Sequence, residues 1–329
     1  MTQNLMKRII PPVSVKIIRK ELTQDKFIRH TNYSNNQIFS INAQNSPNIM
    51  LEIGRLRELT FRNAGGGTGE EIDTDECDYG NKSYQQLIVW DPKRKEILGG
   101  YRYILGKEAP IDADGKIVLS TSSLFHFSDK FLTEYMPYTI ELGRSFVQPN
   151  YQSTSAGRKG LFALDNLWDG LGALTIIHPE IKFFFGKVTM YPDFNRKARD
   201  MILYFLKKYF MDAEDLVTPI KPIQAETEDI EMEQIFSGND YQENFKILSQ
   251  NVRLLGENIP PMINSYMGLS PTMKIFGTAI NTHFGEVEET GLIVTIKDIY
   301  NAKKDRHILT FKLANRVFRI KKMPRKPKI

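Results

Sequence analysis

Apolar residues at Ile49, Ile53, Leu56, Leu59 and Phe61 recur at intervals of three and four, which predicts a helix over Asn48–Arg62 with Arg57 and Phe61 on one side. Alternation over Gln37–Asn42 predicts a strand. Two further runs, Tyr84–Trp90 and Ile97–Leu105, flank Asp91-Pro92-Lys93-Arg94, which is turn chemistry. A strand follows at Glu141–Val147, then a turn at Gln148–Tyr151, an apolar helix over Leu161–Ile177 and a dense strand over Ile181–Met190. An amphipathic helix is expected at Asn195–Phe210, a short helix at Pro260–Met267, and strands at Met273–Ile280 and Thr290–Ile296. Residues 1–30 mix basic and apolar side chains around Pro11-Pro12, an extended arm before a short helix near Ile17–Phe27. This order predicts a mixed α/β fold, an antiparallel meander feeding one crossover.

Composition changes that picture at four places. Gly65, Gly66, Gly67 and Gly69 end the Asn48–Arg62 helix; no Gly-Lys-Ser/Thr follows and the run closes a helix instead of opening one, so a flexible lid is expected rather than a phosphate loop. Residues 212–250 carry ten acids and two lysines, with Pro219 and Pro222, and predict an acidic inserted surface excursion. Residues 301–329 hold eleven Lys or Arg against one acid, so a net charge of +5 divides into +10 there and −5 over the first 300 residues. The expected organisation is an arm and first strand at 1–46, a domain at 47–300 and a basic tail at 301–329. Finally, Cys77 is the single cysteine, which excludes an internal disulfide framework and a multi-cysteine zinc site. No apolar run of about 18 residues marks a membrane span. These features point to a cytoplasmic protein without a metal.

The candidate chemistry lies in charges set among apolar residues. Glu141 and Arg144 are three residues apart on one strand, so they point to opposite faces unless a bulge near Gly143 resets the phase. Arg102 sits inside another strand and needs a partner if buried. Glu70, Glu71, Asp73, Asp75, Glu76 and Asp78 lack the spacing of an EF-hand loop.

Taken in order, Arg57 with Phe61, Asp75 with Asp78, Arg102, and Glu141 with Arg144 resemble the charged signature of the acyl-homoserine-lactone synthases, GNAT-like acyltransferases that draw on acyl carrier protein. The chain is more similar to a sister group, the N-acyltransferases of ornithine- and glycine-lipid synthesis, often labelled hemolysin-like. Leu87-Ile88-Val89-Trp90-Asp91, Gly99-Gly100-Tyr101-Arg102, Glu141-Leu142-Gly143-Arg144-Ser145, Leu167-Trp168-Asp169-Gly170-Leu171, Pro260-Pro261-Met262-Ile263 and Tyr266-Met267-Gly268-Leu269 carry that likeness. A glycine run replaces the tryptophan that lactone synthases carry after Phe61, which opposes an autoinducer synthase. A membrane-binding hemolysin-like protein without catalysis is the alternative from another class, opposed by the lack of a lytic amphipathic segment.

The resemblance implies a GNAT-like, largely antiparallel sheet flanked by helices. It also implies transfer of a long acyl chain, plain or 3-hydroxylated, from the phosphopantetheine thioester of acyl carrier protein to a small amino acid, glycine or ornithine, with no tightly bound cofactor. Glu141 is expected to deprotonate the acceptor. Arg144 and Arg102 are expected to pair with Asp75, Asp78 and Glu141, and Arg57 and Phe61 to help bind the acceptor. The amides of Phe146 and Val147 are expected to hold pantetheine and the oxyanion, with Gly157, Arg158 and Gly160 toward its phosphate. Phe162 and Phe183-Phe184-Phe185 are candidates for an acyl tunnel. The acidic run is expected to raise the Cys77 pKa and leave it no nucleophile. The segment Arg316–Lys328 would meet carrier protein or anionic lipid at the inner membrane face; no binding fold accompanies it to favour nucleic acid.

Overall fold

The structure, a computed structural model, describes residues 6–80, 82–152 and 163–312. Its strands are β1 (Phe27–His30), β2 (Gln37–Ile41), β3 (Gln85–Asp91), β4 (Glu96–Leu105), β5 (Phe125–Phe127), β6 (Thr139–Val147), β7 (Phe183–Met190), β8 (Val217–Pro219), β9 (Lys274–Asn281) and β10 (Val287–Thr295). Eight of them form one sheet in the order β1-β2-β3-β4-β6-β7-β10-β9, and β5 pairs with β8 apart from it. Every neighbour in the large sheet is antiparallel except β6 and β7, which are parallel and joined through the Ala163–Ile177 helix. The predicted meander and single crossover are both present.

Alternation gives the sheet two different faces. On one, Leu87, Val89, Tyr101, Tyr103, Leu142, Phe184, Val188, Leu292 and Val294 pack with Leu167, Leu171 and Leu174 of the crossover helix and with Ile202 and Phe205 of the Arg196–Phe210 helix. The opposite face is split. Beneath its β2–β3 end, Phe39, Ile88 and Trp90 pack on Ile49, Ile53 and Leu56 of the Pro47–Asn63 helix. Towards β9, Ile104, Phe185, Phe276 and Ile293 pack on Leu124, Phe125, Phe131 and Met136. Gln86, Arg102 and Glu141 share this second face, because they alternate in step with Ile88, Ile104 and Phe185.

Four segments differ from expectation. Residues 1–46, expected to hold one strand, hold two, because the helix ends at Glu21 and Phe27–His30 pairs with residues 37–39. Residues 212–250 are folded: helices Asp229–Ile235 and Tyr241–Leu254, with Phe236 capping the first, bury Met232, Phe236, Leu248 and Val252 in the main core, so a few apolar side chains at helical spacing outweigh the acidic composition. Residues 301–312 dock on the body: buried His307 Nδ1 lies 2.8 Å from Asp169 Oδ1, and the Arg29 guanidinium stacks 5.3 Å from the Phe311 ring centroid. The remaining basic residues, Arg316–Lys328 among them, lie outside the described residues.

The glycine run is pinned rather than loose. Gly65, Gly67 and Gly69 take φ of 89°, 97° and 78°, values that a side chain disfavours, and the loop wraps the buried Glu58. Glu58 accepts from Thr68 N at 3.0 Å, Thr68 Oγ1 at 2.8 Å, Gly69 N at 2.8 Å and Arg62 Nε at 2.8 Å. The amides of Thr68 and Gly69 are thereby turned toward the chain's own carboxylate. Glu58→Gln places an amide NH2 where donors converge, and about 1–3 kcal/mol of loop stability should be lost. Hydrogen exchange should then quicken at Thr68 and Gly69 and leave the β3 and β4 amides unchanged; equal protection in the variant would show that Glu58 does not hold the loop.

Candidate active site

A bulge brings the two charges of β6 together. Gly100 faces Phe146 and Arg102 faces Gly143, so three steps on β6 match two on β4. The extra residue falls at Arg144, whose φ is 47°, the distortion expected where strand phase is reset. Arg144 thus reaches the same side as Glu141, where Asp73 and Asp75 lie.

The chain from Asp73 to Tyr79 supplies the matching carboxylates. Asp75 caps the one-turn helix Glu76–Tyr79 by accepting from Cys77 N at 3.0 Å, and Asp78 accepts from Asp75 N at 3.1 Å. This capping box aims both side chains at the sheet. Arg102 Nη1 lies 2.5 Å from Asp75 and 3.3 Å from Asp78. Arg57 Nη1 lies 3.2 Å from Asp78, while its Nη2 donates to Gln86 Oε1 at 2.5 Å. Arg144 Nε is 3.0 Å from Asp73 and its Nη2 is 3.6 Å from Asp75. Of the acidic run, Glu70, Glu71 and Glu76 are exposed, whereas Asp73 and Asp78 are fully buried.

Burial sets the charges against one another. It lowers the Arg57 pKa and raises that of Asp73 despite the neighbouring Arg144. It also pushes Asp75 up, but Arg102 and then Arg144 reverse this and leave the carboxyl below its ordinary value. Arg102 would be lowered by burial too; Asp78 and Asp75 hold it well above the usual arginine value. Cys77 is pushed up to about 12, first by burial, with Arg102 opposing and Asp75, Glu141 and Asp78 reinforcing. A thiol at that value is not a nucleophile at neutral pH.

Glu141 departs from the expected arrangement. Among the described residues it forms no ion pair with Arg102 or Arg144; its carboxylate accepts from Tyr84 Oη, Ser120 Oγ at 3.1 Å, Thr121 Oγ1 at 2.8 Å and Thr121 N at 3.2 Å. Hydroxyls and an amide satisfy it, because residues 117–124 fold over this part of the sheet. Burial, then the adjacent carboxylate, raises the Tyr84 pKa well above normal and keeps the phenol a donor. Phe61 stands edge-on to Phe284 at 5.1 Å, and the Arg144 guanidinium lies 4.5 Å from the Phe284 ring centroid. Arg57 and Phe61 therefore serve different neighbours, the first the buried network and the second the aromatic cover above Arg144.

Beside Glu141 the sheet opens. Parallel pairing of β6 with β7 runs from Thr139–Phe183 to Glu141–Phe185, and no later β6 residue pairs with β7. Gln148 N donates to Leu98 O at 2.9 Å, so bonded pairs alternate from there and the next is Gly100–Phe146. The Phe146 amide therefore turns to β4, and of the two expected amides only Val147 faces the open edge. The Val147 carbonyl on that edge accepts from the Gln152 side chain. Gly157, Arg158, Gly160 and Phe162 lie outside the described residues. Phe184 and Phe185 point to opposite faces and are both core.

Residues 56–159 match the family described as Acetyltransferase (GNAT) domain. The chain is 59% identical over 306 residues to a Bacteroides thetaiotaomicron protein named glycine N(alpha)-acyltransferase, covering 93% of this chain and 91% of that one. A Phocaeicola vulgatus protein of the same name is 57% identical over 306 residues, covering 93% and 94%. The chain belongs to this family of GNAT-type N-acyltransferases. No solved structure matches it.

The protein is thus an amide-forming acyltransferase, which replaces the non-catalytic, hemolysin-like alternative. No described helix of the acyltransferase is long and apolar enough to cross a membrane, and no group of three His, Cys, Asp or Glu among the described residues is placed to hold a metal ion. Sequence reasoning missed Tyr84, Ser120 and Thr121, whose approach to Glu141 has no local signature. It also gave no separate role to Asp73. Nor did it single out Lys187, which the structure buries in β7 and pairs with Glu289 of β10.

Proposed function

We propose that this N-acyltransferase joins a long acyl chain, plain or 3-hydroxylated, to the amino group of glycine as the first step of an aminolipid. The donor is the phosphopantetheine thioester of acyl carrier protein. The observation that carries the acceptor is that Asp73, Asp75 and Asp78 are each already matched by an arginine, so among the described residues none of these three aspartates is left over for the second ammonium of ornithine; the names of the relatives agree.

Arg144, partly exposed at the rim, offers its guanidinium to the glycine carboxylate. Glu141 takes a proton from the glycine ammonium, directly or through a water, and the freed amine attacks the thioester carbon. The Val147 amide on the open edge of β6 stabilises the oxyanion. The C–S bond then breaks, giving amide, free thiol and one proton to solvent. The protein works in the cytoplasm, and the cationic residues beyond 300 draw it to anionic lipid at the membrane surface. Lactone chemistry is not favoured, since the loop after Phe61 is closed around Glu58.

Purified enzyme supplied with acyl-acyl carrier protein should form N-acylglycine, detected by mass spectrometry, at least about tenfold faster than N-acylornithine at equal acceptor concentration. Equal or faster ornithine turnover would overturn the acceptor. Equal use of acyl-coenzyme A would overturn the donor.

A further inference from the structure

The cation that the charged network leaves unexplained is Lys187. It is the one charged residue of β7, its side chain is 11% exposed, and it pairs with Glu289 of β10, whose side chain is 1% exposed. Removing both charges from water costs about as much as their attraction returns, so stability alone does not account for the pair. Strand register shows where it stands. Glu141 lies opposite Phe185, and Lys187, two residues further, projects from the same face. Two residues beyond Glu141 on β6 is Gly143, and across β10 the residue facing Lys187 is Gly291, so neither flanking position carries a side chain. Lys187 therefore stands on β7 two residues past the last β6–β7 pair, on the same face as Glu141 and diagonally beyond it. The charged groups that bear on it are Arg144 and Glu141 of β6, Arg102 of β4, Asp73 from the loop and Glu289 of β10.

We propose that Lys187 is the general acid that protonates the departing sulfur, with Glu289 orienting its ammonium. This rests on the thioester-donor reading above. As the acceptor nitrogen bonds to the carbonyl carbon, the C–S bond breaks with its electron pair passing to sulfur. The Lys187 ammonium gives that sulfur a proton and becomes a neutral amine. Of the two protons the acceptor ammonium loses, one restores Lys187 and the other, taken by Glu141, leaves to solvent. Burial, then Arg144 and Arg102, holds the Lys187 pKa well below the ordinary lysine value, which brings the donor closer to the acidity of a thiol and eases the transfer.

The test compares two donors carrying the same acyl group, an alkyl pantetheine thioester and a thiophenyl ester, whose thiolate leaves without a proton. Lys187→Met leaves Glu289 buried and unpaired, so the double variant Lys187→Met/Glu289→Met and the milder Glu289→Gln are made beside it, and folding is checked by circular dichroism. With the alkyl thioester, kcat should fall about 100- to 1000-fold in the folded double variant and by less in Glu289→Gln. With the thiophenyl ester it should stay within about threefold of wild type. Equal losses with both donors, or an unchanged alkyl rate in the double variant, would overturn the role of Lys187. Wild-type enzyme that turns over neither these thioesters nor acyl-acyl carrier protein would instead remove the donor reading on which it rests.

Discussion

Arg102→Met is expected to lower the unfolding free energy by about 3–5 kcal/mol, the cost of removing one partner from a buried ion-pair cluster. Arg102 is 2% exposed and reaches both Asp75 and Asp78. Without it, Asp78 keeps Arg57 and Gln86, but the only cation left to Asp75 is the more distant Arg144, and the capping box of Glu76–Tyr79 loses one of its two anchors on the sheet. Arg144→Met should cost clearly less. The Asp73 carboxyl that it leaves without its ion-pair partner is already raised by burial, which favours its neutral form and lessens the cost of a bare buried charge. Urea denaturation of the two variants checks both values. An Arg102→Met midpoint close to wild type would mean that the cluster does not hold the loop.

Glu141→Gln should leave the fold intact and reduce kcat by about 100- to 10,000-fold, the range of a lost general base. The hydroxyls of Tyr84, Ser120 and Thr121 can turn to suit the new amide group, whereas the Thr121 amide, 3.2 Å from Glu141, must keep an acceptor. The stability cost is therefore about 1–3 kcal/mol, that of one mismatched buried hydrogen bond. Steady-state turnover of acyl-acyl carrier protein with saturating glycine, beside a thermal melt, measures the two effects separately. A folded variant with kcat within about threefold of wild type would end the assignment of Glu141 as base.

Much of the fold is legible because its signals are local. Spacing over Asn48–Arg62 corresponds to the helix Pro47–Asn63, and the turn residues at Asp91–Arg94 separate β3 from β4. The phase problem posed by Glu141 and Arg144 is also legible, and the bulge at Arg144 resolves it. Composition misleads where a few positions outweigh the average. Met232 and Phe236, and Leu248 and Val252, are each four residues apart and bury one helix face beneath an acidic exterior. The glycine run misleads in another way, since nothing near it announces that Glu58 accepts its hydrogen bonds.

By itself, the sequence determined the order of the longer strands and helices outside residues 212–250, the family likeness and the residue types brought to the site, because periodicity, turn chemistry and motif spacing operate over a few neighbouring positions. Only the tertiary structure decided that Asp73 and Asp78 are buried while Glu70, Glu71 and Glu76 face solvent. It alone decided that Glu141 is held by Tyr84, Ser120 and Thr121 instead of an arginine, and that Lys187 lies two residues past the β7 residue that pairs with it. Those partnerships join elements remote in the chain, and burial makes each unpaired charge costly, so the pairing is settled by how the whole sheet packs.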